Sequence, residues 1–418
     1  MCLCPSYRFF KYLIRLFMTK LSIKDLDIKD KKILIRVDFN VPQDKDGRIT
    51  DDSRIVASLP SIRYVLDQGG SVVLMSHLGR PKDGPAPGLS LKPCAERLSQ
   101  LLGKDVSIAP DCIGQPTEMM AGSLKPGQIL MLENLRFHAA EEHPEKDEQF
   151  AAKLAKLGDA YVNDAFGAAH RSHSSTSVIA GYFPEKSAAG FLLEKEISFL
   201  GETLKDPIRP FYAIVGGSKI SSKCGVIEAL MKKADAVLIG GGMAYTFLKA
   251  KGISIGNSIH EDNFLDKAKE LMSLSGKGHA RLILPKDIVI TESIKEDSPF
   301  KIIDSSQGIP SGYEGVDIGP ATVQDFAVEL RKASTILWNG PLGVFEVPQF
   351  AKGTNAIAHI LGDLNAITIV GGGDSVAAVQ AAGLSDKFTH LSTGGGASLE
   401  YIEFGTLPGI ESLSDETG

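Results

Sequence analysis

Short apolar runs alternate along the chain with longer stretches in which apolar residues recur every three or four positions. This alternation predicts βαβ units and a mostly parallel sheet, because parallel neighbours need a crossover helix between them. In the N-terminal half, strands are expected at 32–38 (KILIRVD), 71–76 (SVVLMS), 129–133 (ILMLE) and 159–163 (DAYVN). Each runs into polar or cationic residues: Asp38 and Asn40, then His77 and Arg80, then Asn134 and Arg136, then Asp164 with Arg171 beyond it. Ligands of open α/β sheets sit past the carboxyl ends of the strands, so these residues are expected to converge on one crevice.

The C-terminal half repeats the pattern with different chemistry at the strand ends. FYAIVGGSKIS, AVLIGGGMAYTF, ITIVGGGDSVAAV and THLSTGGGASLEYI each lead into two or three glycines and then a helical pattern. Such turns offer backbone N–H groups and a helix N-terminus to an anion. One Gly-Gly turn is ordinary punctuation, but four in one half point to a phosphate-bearing ligand. Between the halves, residues 186–207 carry Phe191, Leu192, Ile197 and Leu200 at amphipathic-helix spacing and read as the connector. The mixed-charge run at 141–149 reads as a solvated loop and helix start. Residues 1–17 are apolar but broken by Arg8, Lys11 and Arg15, a poor spanning helix. They read as an extension ahead of Met18, outside the fold, in preference to a weak amphipathic targeting segment.

At 418 residues and 43% hydrophobic, the chain has material for about two to three cores. The formal net charge of -6 gives no general attraction to nucleic acid or an anionic membrane, so any anionic ligand must be held by local arginines and lysines. Cys2, Cys4, Cys94, Cys112 and Cys224 form an odd set with no CxxC pair. A reducing, cytoplasmic setting fits them better than a disulfide framework or a zinc site.

The glycine turns fail two familiar fingerprints. GxGxxG needs a small last residue, and GGGDSV, GGGMAY and GGGASL end in Val376, Tyr245 and Leu399, which disfavours a nicotinamide-dependent dehydrogenase. GGSKISSK lacks the spacing of a P-loop. What remains is a lysine pair, Lys219 and Lys223, spaced as if on one helical face just after Gly216 and Gly217 and suited to a polyphosphate. Asp374, after three glycines, is placed either to cap a helix or to hold a magnesium ion carried by phosphates, with Ser375 beside it.

Taken in order, RVDFNVP (36–42), SHLGRP (76–81), LENLRF (132–137), DAFGAAHRSHSS (164–175), GGSKISSK, GYEGVDIGP, WNGPLGVFE (338–346), GGGDS and STGGGAS closely resemble the phosphoglycerate kinase family, from about residue 21 onward. The resemblance implies an α/β protein of two Rossmann-like lobes, each a mostly parallel sheet flanked by helices, joined by a hinge helix. Residues 18–189 would bind 3-phosphoglycerate, 190–207 connect, 208–400 bind nucleotide, and 401–418 pack back on the first lobe. It implies a monomer that reversibly transfers the acyl phosphate of 1,3-bisphosphoglycerate to ADP, giving 3-phosphoglycerate and ATP with Mg2+, after hinge closure, with neither nucleic acid nor membrane as partner.

By the same resemblance, Asp38, Phe39 and Asn40 bind the glycerate, and His77, Leu78, Gly79, Arg80, Arg136 and Arg171 cradle its non-transferring phosphate. Arg54 is the catalytic arginine. Lys219 meets the transferring phosphoryl group, aided after closure by Gly394, Gly395 and Gly396. Gly217, Lys223, Gly372, Gly373 and Ser375 hold the other phosphates, Glu346 the ribose, Gly315 the base, and Asp374 the metal. Arg36 reads equally as an ion-pair arginine, His138 and His173 as hydrogen-bonded framework, and Trp338 as core. A binding module without turnover is the alternative of a different class, and intact Arg54, Lys219 and Asp374 argue against it.

Overall fold

The computed structural model describes residues 20–82 and 84–416; the 1–17 segment lies outside them. The chain forms two compact units, one running up to Ser198 and resuming at Thr406, the other spanning Phe199–Gly405.

The first unit is built on six parallel strands: β1 (Lys32–Val37), β2 (Ser71–Met75), β3 (Val106–Ile108), β4 (Ile129–Met131), β5 (Ala160–Asp164) and β6 (Ser187–Ala189). Their order is β3-β4-β2-β1-β5-β6. Leu34 pairs with Val73 on one side and Tyr161 on the other. Ile33, Leu34, Ile35, Val72, Val73, Leu74 and Val162 are all fully buried, as expected of strands covered by helices on both faces. Strand order reverses between β1 and β5, so the crevice for a ligand opens beyond their carboxyl ends.

Two short strands, β3 and β6, are absent from the sequence-based reading. Three residues are too few to show a period, and Ser187-Ala188-Ala189 has no β-branched residue. So the 186–207 segment begins as the edge strand of this sheet, and its helical part is Phe191–Glu196, then a π-helical stretch Ile197–Glu202 and a last turn Thr203–Lys205. Asp164, expected in the crevice, instead serves this helix: its Oδ1 accepts from Leu192 N–H at 2.9 Å and Leu193 N–H at 3.3 Å. It supplies the cap that Gly190 lacks.

The C-terminal stretch belongs to this unit. Asn163 Nδ2 donates to the Gly409 carbonyl at 3.0 Å, Gly409 N–H to Ala169 at 2.8 Å, and Leu21 N–H to Ser414 at 2.8 Å.

The second unit repeats the parallel arrangement with β7 (Phe211–Val215), β8 (Ala236–Ile239), β9 (Arg281–Ile283), β13 (Thr335–Asn339), β14 (Ile367–Gly371) and β15 (His390–Leu391), in the order β15-β14-β13-β7-β8-β9. Order reverses between β7 and β13. A small antiparallel sheet, β11 (Phe300–Asp304), β10 (Asp287–Thr291) and β12 (Glu314–Ile318), is inserted between β9 and β13. It too escapes the sequence pattern: β11 is almost wholly exposed and its FKIID carries no apolar–polar alternation.

Candidate functional site

The unit built on β1 to β6 gathers a charged cluster at the β1 end. Asp38 follows β1 and accepts at Oδ2 from Arg54 at 2.5 Å; Arg54 lies in the first turn of the helix Ser53–Asp67. Burial alone would raise the Asp38 carboxyl, but the Arg54 and Arg36 guanidiniums and the Asn40 N–H outweigh it and hold it below the usual range. Asp38 is therefore ionised at neutral pH. Asn40 accepts at Oδ1 from Gly79 N–H at 2.9 Å, joining the β1 and β2 loops.

Beneath this layer lies Arg36, 1% exposed. It donates from Nε to the Ser175 hydroxyl at 2.8 Å and faces Glu141 at 3.8 Å. Glu141, expected in a solvated loop, is fully buried and accepts from Ser175 Oγ at 2.6 Å. The reason is electrostatic: a buried guanidinium needs a buried counter-charge. Arg36 is thus a framework ion-pair residue.

Arg36 also sets the state of His77. A guanidinium only donates, so the 3.1 Å contact to His77 Nδ1 makes that nitrogen the acceptor and leaves the proton on Nε2. Burial, helped by Arg36, Arg136 and Arg54 and opposed by Asp38, holds His77 well below its usual range. At neutral pH it is therefore an uncharged N–H donor and not a cation. His173 is likewise pushed down, to about 3, chiefly by burial.

Arg136 is anchored by donating to the Gly79 carbonyl at 2.8 Å and pairing with Glu142 at 2.9 Å, yet its buried Nε has no protein partner among the described residues. Arg80 and Arg171 are exposed; Arg171 Nε donates to His170 at 3.0 Å. Two expected residues do not present side chains here. Phe39 is fully buried in the core, its N–H donating to Ser76 Oγ, and Leu78 is 2% exposed. Both act by placing their neighbours.

Asn134, expected at the crevice with Arg136, turns out to organise the loops around it, a role the sequence did not reveal. Fully buried, it accepts from Leu78 and Arg136 N–H and donates to the Leu78 and Leu89 carbonyls, both at 2.8 Å. Glu133 beside it accepts from Ser90 Oγ at 2.7 Å and Leu91 N–H at 2.8 Å. LENLRF was visible, but nothing in it separated the arginine facing a ligand from the amide that holds the loops.

In the second unit the glycine turns after β7, β8 and β13 interlock. Gly216 N–H donates to the Asn339 carbonyl, Gly217 N–H to Pro341, and Gly241 N–H to Leu342, at 2.8, 2.8 and 3.0 Å. Gly217 (φ 107°) and Gly340 (φ 93°) adopt backbone open to glycine, and a side chain on Gly340 would strike Lys223 Nζ and Gly216.

The two lysines do not share a helical face. The helix begins only at Cys224, so Lys219 sits in the preceding turn, exposed, while Lys223 folds back to donate to Gly216 O at 2.7 Å and Asn339 O at 3.3 Å. Burial pulls Lys223 down to about 8, partly offset by Asp374. Asp374 lies in the first turn of the helix Gly373–Ala381 but makes no capping bond; its carboxylate is exposed. Ser375 is fully buried and accepts from Gly340 N–H at 2.5 Å, so it braces the turn.

Asn339, at the end of β13, has both side-chain amide atoms buried without partners among the described residues. Gly372 lies close by: a side chain there would stand 3.1 Å from Asn339 Nδ2. These groups call for a polar ligand or water. Open space adjoins Gly373, Gly395 and Gly396, at the N-termini of Gly373–Ala381 and Gly396–Phe404. Gly394 N–H is instead taken by Ser392 Oγ at 3.2 Å. Glu346 is exposed, and Gly315 lies flat against Tyr245, whose ring a side chain there would strike.

The family model for phosphoglycerate kinase matches residues 23–404. A phosphoglycerate kinase of Koribacter versatilis is 52% identical over 406 residues, 96% of this chain and 100% of that protein. One from Chlorobaculum tepidum is 52% identical over 401 residues, 95% of this chain and all of its own. The solved phosphoglycerate kinase of Coxiella burnetii superposes with a TM-score of 0.85 at 38% identity, covering 94% of this chain and 98% of its own. By sequence and by architecture alike, this chain belongs to the phosphoglycerate kinase family.

Proposed function

We propose that the chain moves the acyl phosphate of 1,3-bisphosphoglycerate to ADP, reversibly, with the acid substrate held at the β1 end of the first sheet and the nucleotide at the β7–β13 turns of the second. Family membership makes it a kinase. The observation that carries the assignment is the chemistry of the first cluster: a deep arginine, Arg136, with an unpartnered buried Nε, beside the neutral donor His77 and the exposed Arg80 and Arg171. That is a receptor for a small phosphorylated acid.

The reaction needs no general base, since the acceptor in the ATP-consuming direction is a carboxylate already ionised near neutral pH. His77 fits this absence, because its one lone pair is engaged by Arg36. Asp38 holds Arg54 and accepts from the glycerate hydroxyl; Arg54 offsets charge on the carboxyl and equatorial phosphoryl oxygens as the phosphoryl group passes. Lys219, exposed in the turn after β7, meets that group, while Lys223 meets the inner phosphates. Gly217, Gly372 and Gly373 bring backbone close to them, and the glycines at 394–396 add amides. Gly315 lies at the base and Glu346 takes the ribose. Asp374 fits a Mg2+ ion carried by the nucleotide, its carboxylate being exposed beside the glycine turn. Such an ion, when bound, neutralises phosphate charge.

Direct transfer requires a closure step that excludes water from the acyl phosphate. Identical solution scattering with and without both substrates would count against it. The protein is proposed to act as a cytoplasmic monomer; no helix among the described residues is long and apolar enough to cross a membrane. A coupled assay of ATP-dependent 3-phosphoglycerate phosphorylation tests the whole reading, and folded protein that binds ADP without turnover would favour the binding-module alternative.

A further inference from the structure

Away from both clusters, Asp111, Cys112 and His138 bring a carboxylate oxygen, a sulfur and an imidazole nitrogen within 4.8 Å of one another. Asp111 and Cys112 lie on the loop after β3, and His138 follows the short helical turn Leu135–Phe137 after β4. β3 and β4 are neighbours, so the cluster joins two adjacent strand ends. The loop is fixed on both sides: Ala109 N–H donates to the Met131 carbonyl at 2.8 Å and the Thr117 hydroxyl to the Asp111 carbonyl at 2.9 Å. His138 Nε2 stands 2.7 Å from Asp111 Oδ1, and its ring leans on Phe150 with centroids 5.3 Å apart. The sulfur is walled in, whereas His138 and Asp111 are 30% and 44% exposed, which leaves an approach from solvent.

Two plainer readings account for less. As a nucleophile Cys112 is badly placed, since burial and the Asp111 and Glu141 carboxylates all keep the thiol protonated. The imidazole that would serve as its base is turned to Asp111 instead. As a surface ion pair, His138 and Asp111 account for themselves, with the Cys112 thiol and its N–H, the latter at 2.6 Å, adding bonds to the same Asp111 carboxylate, but that reading gives the grouping of three different donor atoms no use.

We propose that Asp111, Cys112 and His138 form a binding site for a borderline-soft divalent cation, Zn2+ being the ion whose preferred donors are this nitrogen, sulfur and oxygen set. Binding releases the thiol proton and any proton on Nε2, and the cation takes the place between Nε2 and Oδ1 now spanned by one hydrogen bond. Bond lengths of about 2.0–2.3 Å require the His138–Asp111 contact to open slightly and the sulfur to close in. Three protein ligands leave a position for water, so the site is of the open type. The inference does not rest on the kinase assignment.

Co2+ is the probe, because it accepts the same donors and reports sulfur ligation through an intense near-ultraviolet thiolate-to-cobalt band. Full-length protein, stripped by a chelator, is expected to show that band on titration, and Zn2+ to bleach it. Cys112→Ser abolishes the band, and His138→Gln and Asp111→Asn each weaken binding by more than about tenfold. Each variant is first shown to keep the wild-type circular dichroism and melting. Cys224→Ser, at a part-exposed thiol in the other unit, leaves the band in place. The proposal is overturned if wild-type protein gives no sulfur band, if the band survives in Cys112→Ser, or if folded His138→Gln and Asp111→Asn bind Co2+ as tightly as wild type.

Discussion

Lys223 donates its ammonium to the carbonyl of Gly216 at 2.7 Å and reaches the carbonyl of Asn339 at 3.3 Å, across the point where strand order reverses in the second unit. Its free-state value near 8 has two consequences. Between pH 8 and the unfolded value of 10.5 the unfolded chain holds a proton that the folded chain has released, so this group makes the free protein more stable as pH rises through that window. A bound polyphosphate favours the charged form, so ADP binding takes up a proton above pH 8. Calorimetry in buffers of different ionisation enthalpy should show that uptake, with affinity falling above pH 8, and Lys223→Met should abolish both. A flat affinity profile in wild type would remove Lys223 from the phosphate site.

Arg54 is held by Asp38 at 2.5 Å with its side chain one-third exposed. Held in advance, it pays little reorganisation when charge develops. Arg54→Ala is expected to lower kcat by about 10²–10³-fold with a much smaller change in the affinity for 3-phosphoglycerate. Equal losses in binding with kcat unchanged would make Arg54 an ordinary binding residue. Lys219→Ala, on the nucleotide side, should show the same split.

Asn134 makes four bonds to backbone and none to solvent. Asn134→Ala should destabilise the protein by about 2–4 kcal/mol, because several buried backbone groups lose their partner together. It should also raise KM for 3-phosphoglycerate, since the Leu78 and Arg136 backbones lose their common anchor, with little effect on ADP affinity. Denaturant melts and initial rates give both.

The contrast between Asn134 and Arg136 shows how far the sequence can be read. Four strands of the first unit and their polar termini were legible, since buried parallel strands lie within continuous apolar runs. The partners of those residues were not. Glu141 looks solvated because its neighbours are charged, yet Arg36, more than a hundred positions earlier, draws it into the core. Lys219 and Lys223 have helical spacing, but spacing does not say where the helix begins, and here it begins at Cys224, after both of them.

Asp164 carries a pH signature of the opposite sign to Lys223. Burial lifts its carboxyl from 3.8 to about 7, against the Ser61 hydroxyl and the Leu192 and Leu193 amides, which favour ionisation. Below pH 3.8 the group's contribution is complete; between 3.8 and 7 the folded chain keeps a proton the unfolded chain has lost, so stability falls as pH rises through that window. Asp164→Asn keeps an acceptor for both amides and removes the titration. Its melting temperature should exceed that of wild type at pH 8 and converge with it near pH 4. An Asn variant less stable at every pH would show that the charge is needed.

Asn163, Ala169 and Leu21 find partners in Gly409 and Ser414, beyond the whole of the second unit in the chain. During synthesis the first unit therefore emerges with its β5 end and N-terminal edge incomplete, and it stays so while some two hundred further residues are made. Only when the last stretch leaves the ribosome do these bonds close. The order of translation thus leaves the first unit unfinished until the second has been made.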